Sequence, residues 1–157
     1  DWSPNRIIPD CIRSIEKNSS LVIRNPNSTR PWQHALEPIS GYLLLGKKLY
    51  EEKKKFNGSW NFGPSINKSM IVKDVVKLFF KFIGYKKKFI FKKARFKETN
   101  LLKLNSNKAL KKIKWRNTWN MKVSIIKTAE WYLSYLKKKD LKKITNLQIR
   151  EYFNLND

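Results

Sequence analysis

Cysteine and histidine are nearly missing from this chain of 157 residues: each occurs once, as Cys11 and His34. A single cysteine excludes an internal disulfide, and one residue of each type leaves too few ligands for the usual Cys/His zinc sites. No metal site is therefore expected. Long apolar runs are also absent; none approaches the ~20 residues needed to cross a bilayer, and no membrane partner is expected. Glycine and proline are few, at five and six, and every one lies at or before Gly84. Turns in the second half must rest on Asn, Ser and Lys. There is no Gly-x-Gly-x-x-Gly and no Walker loop, so the chain brings no nucleotide phosphate cradle of its own. It opens on Asp1 with no signal peptide behind it, which leads us to expect part of a longer, cytoplasmic protein.

Apolar residues make up 41% and aromatics 13%, enough for the core of one domain. The formal charge is +23, from 35 basic and 12 acidic residues, and it is steeper in residues 85–157 than before them. Such a balance ordinarily points to nucleic acid. Its make-up points elsewhere: 28 of the 35 are lysines and only 7 arginines, and the chain also holds 15 Asn and 15 Ile. Base and phosphate recognition leans on the arginine fork, whereas Lys, Asn and Ile share AT-rich codons. A lysine-coated ordinary domain, with no nucleic-acid partner, is the expectation.

Periodicity predicts alternating helices and short strands, an α/β chain. Ile8, Cys11, Ile12 and Ile15 recur at helical spacing. Leu21-Val22-Ile23 reads as a strand stopped by the turn cluster Asn25-Pro26-Asn27-Ser28. Pro38 is expected to open a helix carrying Ile39, Tyr42, Leu43, Leu45 and Leu49. Trp60-Asn61-Phe62 reads as a strand closed by Gly63-Pro64. Ser69 is placed as the cap of a helix with Val72, Val75, Val76, Phe79 and Ile83 on one face and Gly84 at its end. Phe89-Ile90-Phe91 is a further strand. Ser106 and Asn120 are placed as caps of two more helices, the second running through Val123, Ile126, Ala129, Leu133 and Leu136. Thr145-Asn146-Leu147-Gln148 fits a capping box opening a last short helix.

No catalytic constellation emerges. Tyr50-x-x-x-Lys54 and Tyr135-x-x-x-Lys139 match a dehydrogenase Tyr/Lys pair, but in a lysine-rich chain such matches arise by chance. His34 has Glu37 nearby and no serine or cysteine nucleophile in register. More informative is the stretch from Ile23 to His34, where Arg24 and Arg30 flank a polar turn between a strand and a helix. Loops at such places carry function, and an arginine fork suits a diphosphate.

Here the motifs take on a family order. Asp1-Trp2, Arg6-Ile7-Ile8-Pro9-Asp10, Ile23-Arg24-Asn25-Pro26, Arg30-Pro31-Trp32-Gln33-His34, Leu36-Glu37-Pro38 and Ser40-Gly41-Tyr42-Leu43-Leu44-Leu45 follow one another. Then come Trp60-Asn61-Phe62-Gly63-Pro64, Leu102-Lys103-Leu104, Lys127-Thr128-Ala129-Glu130-Trp131-Tyr132 and Gln148-Ile149. The series resembles the C-terminal half of the CDP-glucose 4,6-dehydratases, which are extended short-chain dehydrogenase/reductases of the NAD-dependent epimerase/dehydratase family.

The resemblance implies a lyase making CDP-4-dehydro-6-deoxy-D-glucose from CDP-glucose for surface polysaccharide, with NAD held by an N-terminal Rossmann half that precedes the matching segment. It implies the small α/β substrate lobe, without the Rossmann core. On it we expect residues 1–140 to be the sugar-nucleotide-binding part and 141–157 a C-terminal tail with a short helix. The family's catalytic and NAD-binding residues have no counterparts here. The resemblance places Arg30 on the diphosphate and Arg24 beside the nucleotide, with Arg95 and Asn67 as further substrate contacts. It also implies a homodimer when complete, an apolar face exposed in the isolated segment, and inactivity of the segment alone. Three positions depart from the family: Asn105 replaces Asp, Lys114 replaces Gly and Asn117 replaces Pro.

Overall fold

The computed structural model describes residues 2–52, 54–64, 69–86, 88–92 and 101–155. Helix α1, Ile7–Glu16, buries Cys11 and Ile12 on the face the spacing predicts. Strand β1, Leu21–Ile23, turns Leu21 and Ile23 inward and Val22 outward. It pairs in parallel with β4, Phe89–Phe91, in the register Leu21↔Phe89, Val22↔Ile90 and Ile23↔Phe91. Between them lie a second strand pair and two helices. Strand β2, Thr29–Arg30, runs antiparallel to β3, Met70–Ile71. Neither is visible to a periodicity argument, because two residues carry no alternation.

Helix α3, Val72–Ile83, buries Val75, Val76, Phe79, Phe80 and Ile83 and ends at Gly84, whose φ of 79° supplies the left-handed cap. Its N-cap is Ile71, not Ser69, since β3 runs directly into the helix. Helix α5, Met121–Leu136, starts at Asn120, whose Oδ1 accepts from Val123 N–H at 3.0 Å. Its deepest positions are Ser124, Ile125, Ala129 and Tyr132. Val123, Ile126, Leu133 and Leu136 are only half-buried, because α5 packs against α3 on one side and α6 on the other. α1, β1, α3 and α5 together enclose the main core.

A second, smaller core lies under helix α2, Leu36–Glu51, and helix α4, Asn107–Ile113, and is built from Phe56, Phe62, Ala109, Ile113 and Trp115. Gly41 is required here: a Cβ would press into the Phe62 ring. The apolar residues of α2 therefore divide. Leu45 and Leu49 face this core, while Ile39, Tyr42 and Leu43 are 43%, 61% and 63% exposed.

Besides the Ser69 cap, two further sequence expectations fail. Residues 60–62 form no strand; the described residues offer that segment no ladder partner, and the Phe62 carbonyl is taken by the Gln33 side chain instead. The last helix does not open at Thr145. Helix α6, Leu141–Phe153, is capped five residues earlier, where the Asp140 carboxylate accepts from Lys142 and Lys143 N–H at 2.9 and 3.0 Å. A single well-placed aspartate outcompetes the Thr/Gln pattern. Ser106 stands at the N-cap of α4 but its hydroxyl accepts from Gly63 N–H at 2.8 Å; the capping bond comes from Asn105, whose Oδ1 accepts from Asn107 N–H at 2.9 Å.

Candidate functional site

The arginine turn is positioned by backbone bonds from α3. Ser28 N–H donates to the Asn25 carbonyl, Val72 N–H to the Ser28 carbonyl and Lys73 N–H to the Pro26 carbonyl, at 3.2, 3.0 and 2.9 Å. The β2–β3 pair then fixes Arg30 opposite Met70. Trp32 is locked behind it by a 3.1 Å bond from its indole N–H to the Met70 carbonyl. On the other side, the residues just before α1 bring Asn5 and Arg6. Asn5 takes a left-handed φ of 62° and its Oδ1 accepts from Arg24 Nη2 at 2.5 Å.

The result is a cleft of about 420 Å³ walled by Asn5, Arg6, Arg24, Asn25, Arg30 and Trp32, with Ile7, Val22 and Ile23 beneath. Three of the seven arginines of the chain thus line one opening. Among the described residues the one acid in its wall is Asp10, which accepts from Arg13 Nη2 at 2.6 Å. Arg24 and Arg30, both singled out in the sequence, line the same cleft. Arg95 and Asn67 lie outside the described residues. A second groove, about 470 Å³, continues past Arg24 along Asn25, Asn27, Phe91 and Lys92.

The remaining titratable candidates are not set up for catalysis. His34 is pushed down to about 4 by burial and by the Lys127 ammonium, and its Nδ1 accepts from Leu36 N–H at 3.3 Å. It is a neutral histidine stacked edge-on against Trp119, 5.0 Å between ring centres. Tyr50 is 85% exposed. Tyr135 donates to Glu16, which raises rather than lowers its pKa. Burial likewise pushes the Cys11 thiol far up, away from the reactive thiolate. Among the described residues no three His, Cys, Asp or Glu side chains could hold a metal.

One residue was missed as a site. Glu37 is fully buried, and its carboxylate accepts four hydrogen bonds: Trp119 N–H at 2.7 Å, Tyr152 O–H at 2.9 Å, Thr118 N–H at 3.1 Å and Asn117 Nδ2 at 3.1 Å. It ties the helix that follows the arginine segment to the 117–119 loop and to α6. The Leu36-Glu37-Pro38 motif contained it, but donors 80 or more residues away leave no local pattern.

A dinucleotide does not fit the described residues. Its pyrophosphate needs a glycine turn between a strand and a helix N-terminus. The two glycines with positive φ are Gly58, in a loop, and Gly84, at a helix C-terminus. No helix of the described residues is long and apolar enough to cross a membrane.

No protein-family model matches the chain. Its fold matches part of several nucleotide-sugar epimerases and dehydratases of known structure. UDP-glucuronic acid 4-epimerase from Bacillus cereus superposes on 85% of this chain and 41% of its own, with TM-score 0.69 and 18% identity. dTDP-glucose 4,6-dehydratase from Bacillus anthracis does so on 82% and 39%, with TM-score 0.65 and 17% identity. The nearer relationship is in sequence: CDP-glucose 4,6-dehydratase of Salmonella typhimurium is 33% identical over 155 residues, 98% of this chain. The chain is a relative of that dehydratase and corresponds to its C-terminal half; it spans 43% of the relative's length.

Proposed function

We propose that this chain is the sugar-nucleotide-binding part of a CDP-glucose 4,6-dehydratase, in which an N-terminal Rossmann half of the same enzyme holds NAD. The observation that carries the reading is the cleft: Arg6, Arg24 and Arg30 converge on it in a chain 33% identical to a CDP-glucose dehydratase. Guanidinium forks make paired, charge-assisted bonds to phosphate oxygens. Arg30 pairs with the diphosphate, Arg24 borders the nucleotide, Arg95 adds a contact on the phosphate side, and Asn67 is a further substrate contact. This chain binds and orients CDP-glucose. Hydride transfer and proton transfer belong to the other half, so the chain alone turns over no substrate.

Two features support a covering half. Ile39, Tyr42, Leu43 and Tyr50 form an exposed apolar stripe along α2, and stripes of this kind mark contact surfaces. The segment at 60–62, which pairs with no strand among the described residues, lies beside the same helix, with Phe62 against Gly41. In the complete enzyme, a cytoplasmic homodimer making deoxysugars for surface polysaccharide, the Rossmann half covers both. The second reading, a different nucleotide-sugar dehydratase or epimerase, is favoured by the likeness in fold to the UDP-glucuronic acid epimerase. Calorimetric titration with CDP, UDP and dTDP separates them. Tightest binding of CDP supports the dehydratase, a preference for UDP or dTDP supports the second reading, and binding of none overturns both.

A further inference from the structure

The Gln33 side chain presents a buried Oε1 with no hydrogen-bond partner among the described residues. Its amide cannot be turned over to relieve this, because Nε2 donates to the Phe62 carbonyl at 2.8 Å and a flip would set oxygen against oxygen. A buried acceptor left without a donor is penalised by its lost hydration, and native proteins meet such groups with protein or with ordered water.

Gln33 also lines a narrow crevice of about 50 Å³ between the Trp32–Gln33 peptide and helix α5. A water molecule needs on the order of 10–15 Å³ of free space and at least two polar partners. Volume is therefore sufficient. Partners face it from α5: Ser124 and Thr128 both line the crevice, and the Thr128 hydroxyl donates to the Ser124 carbonyl at 2.8 Å, which leaves its lone pairs to accept. Ile8, Val75, Phe79 and Met121 close the remaining walls with apolar groups.

We infer that this crevice binds one structural water, which donates to Gln33 Oε1 and bridges it to the Ser124 and Thr128 hydroxyls of α5. The arginine-bearing segment then has three anchors: the Trp32 indole on Met70, Gln33 Nε2 on Phe62, and the water on α5. Trp32 is common to the crevice and to the arginine cleft, so the water backs the wall against which a ligand would lie. The inference stands on Gln33 and α5 alone and does not depend on which ligand the cleft takes.

The test is direct detection of the water in the intact chain by nuclear Overhauser contacts between water and the Gln33 side-chain amide protons, with a crystal structure as the second measurement. Expected are long-lived water contacts at that amide and a density peak within hydrogen-bond distance of Gln33 Oε1. Ser124→Val adds a test of sign. Its methyl groups expel the water and strand Oε1, so the urea midpoint falls; in a dry crevice the same methyl groups fill a void and the midpoint rises. Absence of the water contacts with Gln33 assigned, absence of the peak in a well-ordered crystal, or a raised midpoint in Ser124→Val overturns the inference.

Discussion

Replacing Glu37 by glutamine changes one oxygen to an NH₂ and leaves shape and volume unchanged. It should nevertheless be among the most damaging single-atom changes available to this chain. The amide can be placed two ways. With its nitrogen toward Asn117, Thr118 and Tyr152, it meets the Thr118 N–H, a fixed donor, 3.1 Å from the present oxygen. Turned the other way, it meets the Trp119 N–H at the 2.7 Å position. Either choice removes at least one charge-assisted bond and sets two donors against each other. Bonds to charged groups contribute about 1.5–3 kcal/mol, and a stranded buried donor costs about 1–3 kcal/mol. The relief of burying a neutral group offsets part, leaving a net loss of about 2–4 kcal/mol. Urea denaturation followed by circular dichroism reads this as a lowered midpoint at unchanged slope. Tyr152→Phe, which removes one of the four donors, should cost about 1–2 kcal/mol. If Glu37→Gln unfolds at the wild-type midpoint, the carboxylate is not the common acceptor described here and the reasoning fails.

Two further predictions concern stability. His34 is held neutral, with its pKa lowered to about 4 from 6.5; between those values the unfolded chain binds the extra proton, so stability rises with pH from about 4 to 6.5 and is lost on acidification, by up to about 3 kcal/mol. His34→Asn should flatten that part of the pH profile, and an unchanged profile would mean that His34 is not buried. Lys114 sits in the left-handed region with φ 60°, where a side chain is strained, so Lys114→Gly should raise stability by about 0.5–1 kcal/mol in the same urea assay; a loss would show that the lysine side chain is held there by contacts.

Elements whose signal is local were legible in the sequence. The faces of α1 and α3, the strands Leu21–Ile23 and Phe89–Phe91 and the Asn120 cap each follow from spacing or from one residue type. What was not legible depends on distant partners. β2 and β3 exist because Arg30 meets Met70 across forty residues of chain, and Trp60–Phe62 has strand composition without a strand to pair with. Gly41 reads as a helix weakness until Phe62 is seen lying on it. The resemblance named the arginine turn, but only the fold adds Arg6 and Asn5 to its cleft, since they arrive from the other side of α1. Lys114, noted as a lysine in place of a family glycine, does occupy a glycine-like conformation. Asn117, noted as standing in place of a family proline, donates its side-chain amide to Glu37.

The central claim is that the arginine cleft receives the diphosphate of CDP-glucose, and its most direct measurement is the CDP and CDP-glucose affinity of Arg30→Ala, Arg30→Lys and Arg24→Ala beside the wild type by calorimetry. Truncating Arg30 removes a charged fork and strands a phosphate, which should weaken binding by about 2–4 kcal/mol. Arg30→Lys should recover only part of that, because the charge returns without the planar pair of donors, and Arg24→Ala should cost less. A folded Arg30→Ala chain that binds CDP as tightly as the wild type would contradict the account.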